Sequence, residues 1–78
     1  MAELPSPRSP IAQAVIANGT PIALDAPMAL DAFLVRQGLL PRSVVVELNG
    51  EAVAPSEFSQ RPVAPGDRLE IVRIVAGG

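Results

Sequence analysis

The dipeptide Asn-Gly occurs twice, at 18–19 and at 49–50, each time between short apolar segments. Both residues accept positive φ, and flanked in this way the pair is the strongest short-range signal for a tight hairpin. Ala14-Val15-Ile16-Ala17 leads into the first pair and Ile22-Ala23-Leu24 follows it, which predicts strands over about 12–17 and 21–24. Ser43-Val44-Val45-Val46-Glu47-Leu48 leads into the second and Glu51-Ala52-Val53 follows it. A β-branched run of this kind fits a pleated, half-buried surface, so a second hairpin is expected there.

Between the hairpins the period changes. Leu30, Phe33 and Leu34 recur at helical spacing, and Gly38 supplies the usual stop. Asp25 stands as a candidate cap, with Pro27 in the first turn where its missing donor is harmless, so a helix is predicted over about 27–37. Pro55 to Asp67 reads as a loop broken by Pro55, Pro62, Pro65 and Gly66, with Phe58 as its large apolar anchor. Arg68 to Val75 reads as a last strand. The order hairpin, helix, hairpin, loop, strand predicts an α+β domain: a mixed sheet of about five strands, one helix crossing a face, and the last strand returning to the middle. Expected core positions are Val15, Leu24, Leu30, Phe33, Leu34, Val44 or Val45, Leu69 and Ile71. With Leu69 and Ile71 turned inward, strand alternation puts Glu70, Val72 and Ile74 on the opposite face. Exposed apolar side chains such as Val72 and Ile74 commonly mark a partner site, so these three residues form the candidate docking face.

The two ends read differently from the middle. Prolines at 5, 7 and 10 withhold donors and fix φ, and residues 1–11 are expected to be a disordered Pro-rich extension to a domain over 12–75. The last three residues, Ala76-Gly77-Gly78, read as a flexible tail. With Gly at about 7% of residues, a terminal Gly pair arises by chance about once in two hundred chains. Here it follows directly on the β-branched run Ile71-Val72-Arg73-Ile74-Val75. Residues without Cβ can thread a narrow channel in another protein. The candidate working group is therefore the main-chain carboxylate of Gly78, with Gly77 and Ala76 as its leash.

Composition then narrows the chemistry. The chain has no Cys and no His, which excludes disulfides, thiolate or imidazole metal sites, Cys nucleophiles and Ser-His-Asp triads. No catalytic residue, metal site or bound cofactor is expected, and the chain is not expected to be an enzyme. Glu47, Glu51 and Asp67 read as solvated or turn residues. A net charge of −2 with no basic cluster argues against nucleic acid. The apolar runs are too short to span a bilayer and the first ten residues lack the features of a signal peptide, so a cytoplasmic protein is expected. All six basic residues are Arg. The chain therefore carries neither a Lys amine nor a thiol, and Arg stays protonated and is a poor nucleophile.

Val-Val-Glu-Leu-Asn-Gly-Glu at 45–51, Pro-Gly-Asp-Arg-Leu-Glu-Ile-Val at 65–72 and the terminal Gly-Gly together resemble the ThiS family of sulfur carriers in thiamine biosynthesis. Asn18-Gly19 and the helix around Met28 to Leu34 fit the same pattern, so the resemblance covers about 12–78. It implies a ubiquitin-like β-grasp fold and a mechanism centred on Gly78. A ThiF-type adenylyltransferase would use ATP to adenylate the Gly78 carboxylate. A sulfur donor such as a cysteine desulfurase would then turn the acyl-adenylate into a thiocarboxylate, and thiazole synthase (ThiG) would take the sulfur. The alternatives are the MoaD-like small subunit of molybdopterin synthase, a ubiquitin-like protein modifier, and a binding module whose Gly-Gly is inert.

Overall fold

In the computed structural model, which describes residues 13–74, the chain opens on β1 (Ala14–Ala17) and turns back through Asn18 and Gly19 into β2 (Thr20–Ala23). Asn18 and Gly19 both have positive φ, 52° and 82°, and the antiparallel register closes on Ala17 opposite Thr20. This is the mirror-image turn whose twist matches that of the flanking strands.

The chain next forms a two-residue strand, β3 (Met28–Ala29), before helix α1 (Leu30–Arg36) begins. The helix is thus shorter at its start than the predicted 27–37, and Asp25 does not cap it. Asp25 and Ala26 form a bend, and the ring of Pro27 disfavours helical backbone at the residue before it. Met28 and Ala29 then pair with Val63 and Pro62, and the Leu30 amide donates to the Arg61 carbonyl at 2.8 Å. A main-chain acceptor thus does the work expected of a cap side chain. At the other end Gly38, at φ 81°, and Leu39 donate to the carbonyls of Val35 and Leu34, at 2.9 Å each. Those are the two bonds of a Schellman stop.

After a 3-10 turn (Pro41–Ser43) come β4 (Val44–Leu48) and β5 (Glu51–Val53), joined by Asn49 and Gly50 at φ 53° and 85°. The segment expected to be a plain loop is ordered into a 3-10 helix (Pro55–Gln60) and β6 (Pro62–Val63), the partner of β3. Phe58 anchors it, fully buried. Strand β7 (Arg68–Arg73) is the last element among the described residues; of the predicted 68–75, Ile74 lies just past it and Val75 lies outside the described residues.

The main sheet has the order β2-β1-β7-β4-β5, with β7 parallel to β1 and antiparallel to β4. The last strand is central, and the mixed five-stranded sheet with one crossing helix is the predicted architecture. Leu30, Phe33 and Leu34 form the buried stripe of α1 and pack on Val15, Val44, Val46 and Leu69 of the sheet. In β4 the alternation is strict: Val44, Val46 and Leu48 point in, Val45 and Glu47 out. Ile71, expected in the core, is only half-buried, at the margin of the cluster. β1 has already turned away at Asn18 where Ile71 begins, so no neighbouring strand covers it on that side.

Candidate functional site

The site is the C-terminal half of β7 and what surrounds it. Leu69 is fully buried, while Glu70 and Val72 point the other way and are exposed, Val72 to 63%. Ile74, one residue past the strand, is 54% exposed and donates its amide to the Ser43 carbonyl at 2.8 Å. The three residues of the candidate docking face therefore share the side of the sheet away from α1. Ala76, Gly77 and Gly78 lie outside the described residues, as do residues 1–11.

The structure adds Val45 to this face. It sits directly across from Val72 in the β4–β7 ladder and is itself exposed. The sequence offered Val44 or Val45 as core, and strand parity decides for Val44. Beside Val72 and Val45, Glu70 stands opposite Glu47. The outer face thus carries an apolar strip of Val45, Val72 and Ile74 with two carboxylates at one end. At the other end Leu40 is also exposed, and with Leu39, Ser43, Arg73 and Ile74 it borders a shallow depression of about 330 Å³.

Among the described residues there is no buried polar or charged side chain, and no group of three potential metal ligands. Glu51 pairs with Arg61 at 3.0 Å on the surface. Asp67 is a turn residue: it accepts from the Ala64 amide at 2.9 Å and from the Asn49 side-chain amide at 3.1 Å. No helix among the described residues is long and apolar enough to cross a membrane.

A mixed five-stranded sheet with the last strand at its centre and one helix across a face define the class: a ubiquitin-like β-grasp domain. More narrowly, the chain belongs to the ThiS family, whose model matches residues 12–78. A crystal structure of the thiamine biosynthesis protein ThiS from Geobacter metallireducens superposes with a TM-score of 0.72 at 28% identity, covering 83% of this chain and 99% of that one. A solution structure of a thiamine biosynthesis protein from the same organism gives 0.68 at 28% identity, covering 83% of this chain and 87% of the other. Thiazole synthase from Paramagnetospirillum magneticum is 39% identical over 64 residues, which is 82% of this chain and 20% of that protein. The chain therefore spans about a fifth of the length of that relative.

Proposed function

We propose that this chain is a sulfur carrier for formation of the thiamine thiazole ring and that its working group is the main-chain carboxylate of Gly78. The observation that carries the reading is the match of the ThiS family over residues 12–78, on a fold whose central strand leads toward the Gly-Gly. In this reading 12–75 is the recognition body, 76–78 the presented tail and 1–11 an appended extension, and the protein works in the cytoplasm. A carboxylate oxygen of Gly78 attacks the α-phosphorus of ATP in a ThiF-type enzyme and pyrophosphate leaves. The terminal sulfur of a donor's persulfide, such as that of a cysteine desulfurase, displaces AMP to give an acyl disulfide. A dithiol reductant then cleaves the S–S bond, becoming a disulfide itself and leaving the thiocarboxylate and the donor's free thiol. Thiazole synthase then takes the sulfur. That a chain named thiazole synthase contains a segment 39% identical to this one supports such an enzyme as the acceptor. The carrier contributes no base and no metal; it contributes recognition and placement of a chain end, which is where proximity catalysis begins. Val45, Val72 and Ile74 form the apolar surface on which the activating partner docks, with Glu70 at its border.

The test uses ATP-pyrophosphate exchange catalysed by a ThiF-type enzyme with this chain as acyl substrate. Deleting Gly78, or appending one residue after it, abolishes exchange and leaves the Tm unchanged. A variant with an appended residue that is still activated without trimming contradicts the assignment.

A further inference from the structure

Two turn asparagines hold the last strand from opposite edges, one at its first residue and one at its fourth. Asn49, in the turn between β4 and β5, grips its start: its amide nitrogen donates to the Arg68 carbonyl at 2.7 Å, and its side-chain Oδ1 accepts from the Arg68 amide at 2.9 Å. Asn18, in the turn between β1 and β2, grips it farther along. Its Nδ2 donates to the Ile71 carbonyl at 2.9 Å and its Oδ1 accepts from the Ile71 amide at 2.7 Å. Both bonds fall in the length range of ladder bonds.

The placement of Asn18 follows from where β1 ends. The parallel pairing of β1 with β7 stops at Ala17 opposite Leu69, and the Asn18 main-chain amide donates to the Leu69 carbonyl at 2.8 Å. There the backbone departs into the turn. The side-chain amide of Asn18 then stands where the next peptide group of β1 would be, and satisfies both polar groups of Ile71. Beyond it the same edge of β7 faces an open groove of about 360 Å³, bordered by Ala17, Ile22, Leu39, Ile71 and Arg73. On the other edge β4 follows the strand as far as the bond from Ile74 to Ser43.

We infer that Asn18 is a positioning residue for the reactive tail: by holding Ile71 after β1 has turned away, it fixes the point and direction from which residues 75–78 leave the body. This rests on the carrier reading of Gly78. β4 holds the strand on its other edge as far as Ile74, and from there to Gly78 the chain can reach about 14 Å when extended. Angular freedom of the segment from Ile71 to Ile74, held on one edge only once Asn18 lets go, is carried over that length to the carboxylate. Freeing the strand there also adds backbone conformations that must be given up again when the tail enters a partner, and ordering even one residue shifts an equilibrium by about tenfold. Asn49 holds Arg68 at the strand's start through its main-chain amide and one side-chain oxygen, and freedom there does not reach the tail.

Asn49 supplies a control. Asn18→Gly and Asn49→Gly both keep the positive-φ turn, because Gly adopts it freely, and both delete side-chain bonds to β7, two at Asn18 and one at Asn49. Each lowers the Tm by a few degrees. Asn18→Gly alone raises the KM for the carrier in ATP-pyrophosphate exchange with a ThiF-type enzyme, by about tenfold with kcat unchanged, and speeds hydrogen exchange at the Ile71 amide. Asn18→Asp keeps the acceptor and the turn but loses the donor, so it falls between, and it serves if the Gly variant does not fold. Unchanged KM in a folded Asn18 variant whose Ile71 amide exchanges faster overturns the inference. An equal rise in KM for Asn49→Gly also overturns it, since the effect would then track stability alone. Absence of exchange with the native chain overturns the carrier reading, and the role of Asn18 with it.

Discussion

The two faces of strands β4 and β7 are both rich in valine and isoleucine, yet only one is covered. Inward, Val44, Val46 and Leu69 meet Leu30, Phe33 and Leu34 of the helix and are buried. Outward, Val45 and Val72 face each other across the ladder and Ile74 follows, all more than half exposed. The same residue types thus do two jobs separated by strand parity. Apolar area removed from water on folding stabilises the domain, at roughly 25 cal/mol per Å². Apolar area left in water contributes that free energy only when a partner covers it.

Substitutions on the two faces should therefore fail in different ways. Phe33→Ala removes a fully buried ring and costs about 3–5 kcal/mol, which for a domain of this size is most of its stability. Circular dichroism should show it largely unfolded at physiological temperature, and a native-like Tm would break the description of the covered face. Ile74→Asp should keep its stability within about 0.5 kcal/mol of native while activation by the adenylating partner falls about tenfold or more. If this variant unfolds instead, the assignment of faces is reversed. The smallest effect sharpens the picture at the border of the open face. Glu47 and Glu70 are directly opposite, and like charges so placed are mildly destabilising. Glu47→Lys should raise stability by roughly 0.2–1 kcal/mol in urea titration, and should do so less at high salt.

Most of this architecture is legible in the residues themselves. Asn18-Gly19 and Asn49-Gly50 announce the hairpins because few other pairs accept two successive positive φ values. The stripe Leu30, Phe33, Leu34 with Gly38 after it marks the helix and its end. The illegible parts depend on partners distant in the chain. The helix start is set by the pairing of Met28 and Ala29 with Val63 and Pro62, and a strand of two residues leaves no periodic trace. Ile71 looks like core by parity and is half-exposed because β1 ends early, which only topology reveals. The Asn-Gly turns were readable as turns, but the grip of Asn18 on Ile71 joins residues 53 apart in sequence, and no local signal carries it. Val45 was within reach: strict alternation from a buried Leu48 places it outside.

The central claim concerns a single carboxylate, and intact-mass spectrometry addresses it most directly. The chain is incubated with a ThiF-type enzyme, ATP and a sulfur donor, then weighed whole and after fragmentation. The account predicts a mass gain equal to exchange of one oxygen for one sulfur, confined to the fragment that ends in Gly78 and absent when ATP is omitted. An unchanged mass under conditions in which a known ThiS protein is loaded, or sulfur found on any fragment lacking Gly78, contradicts it.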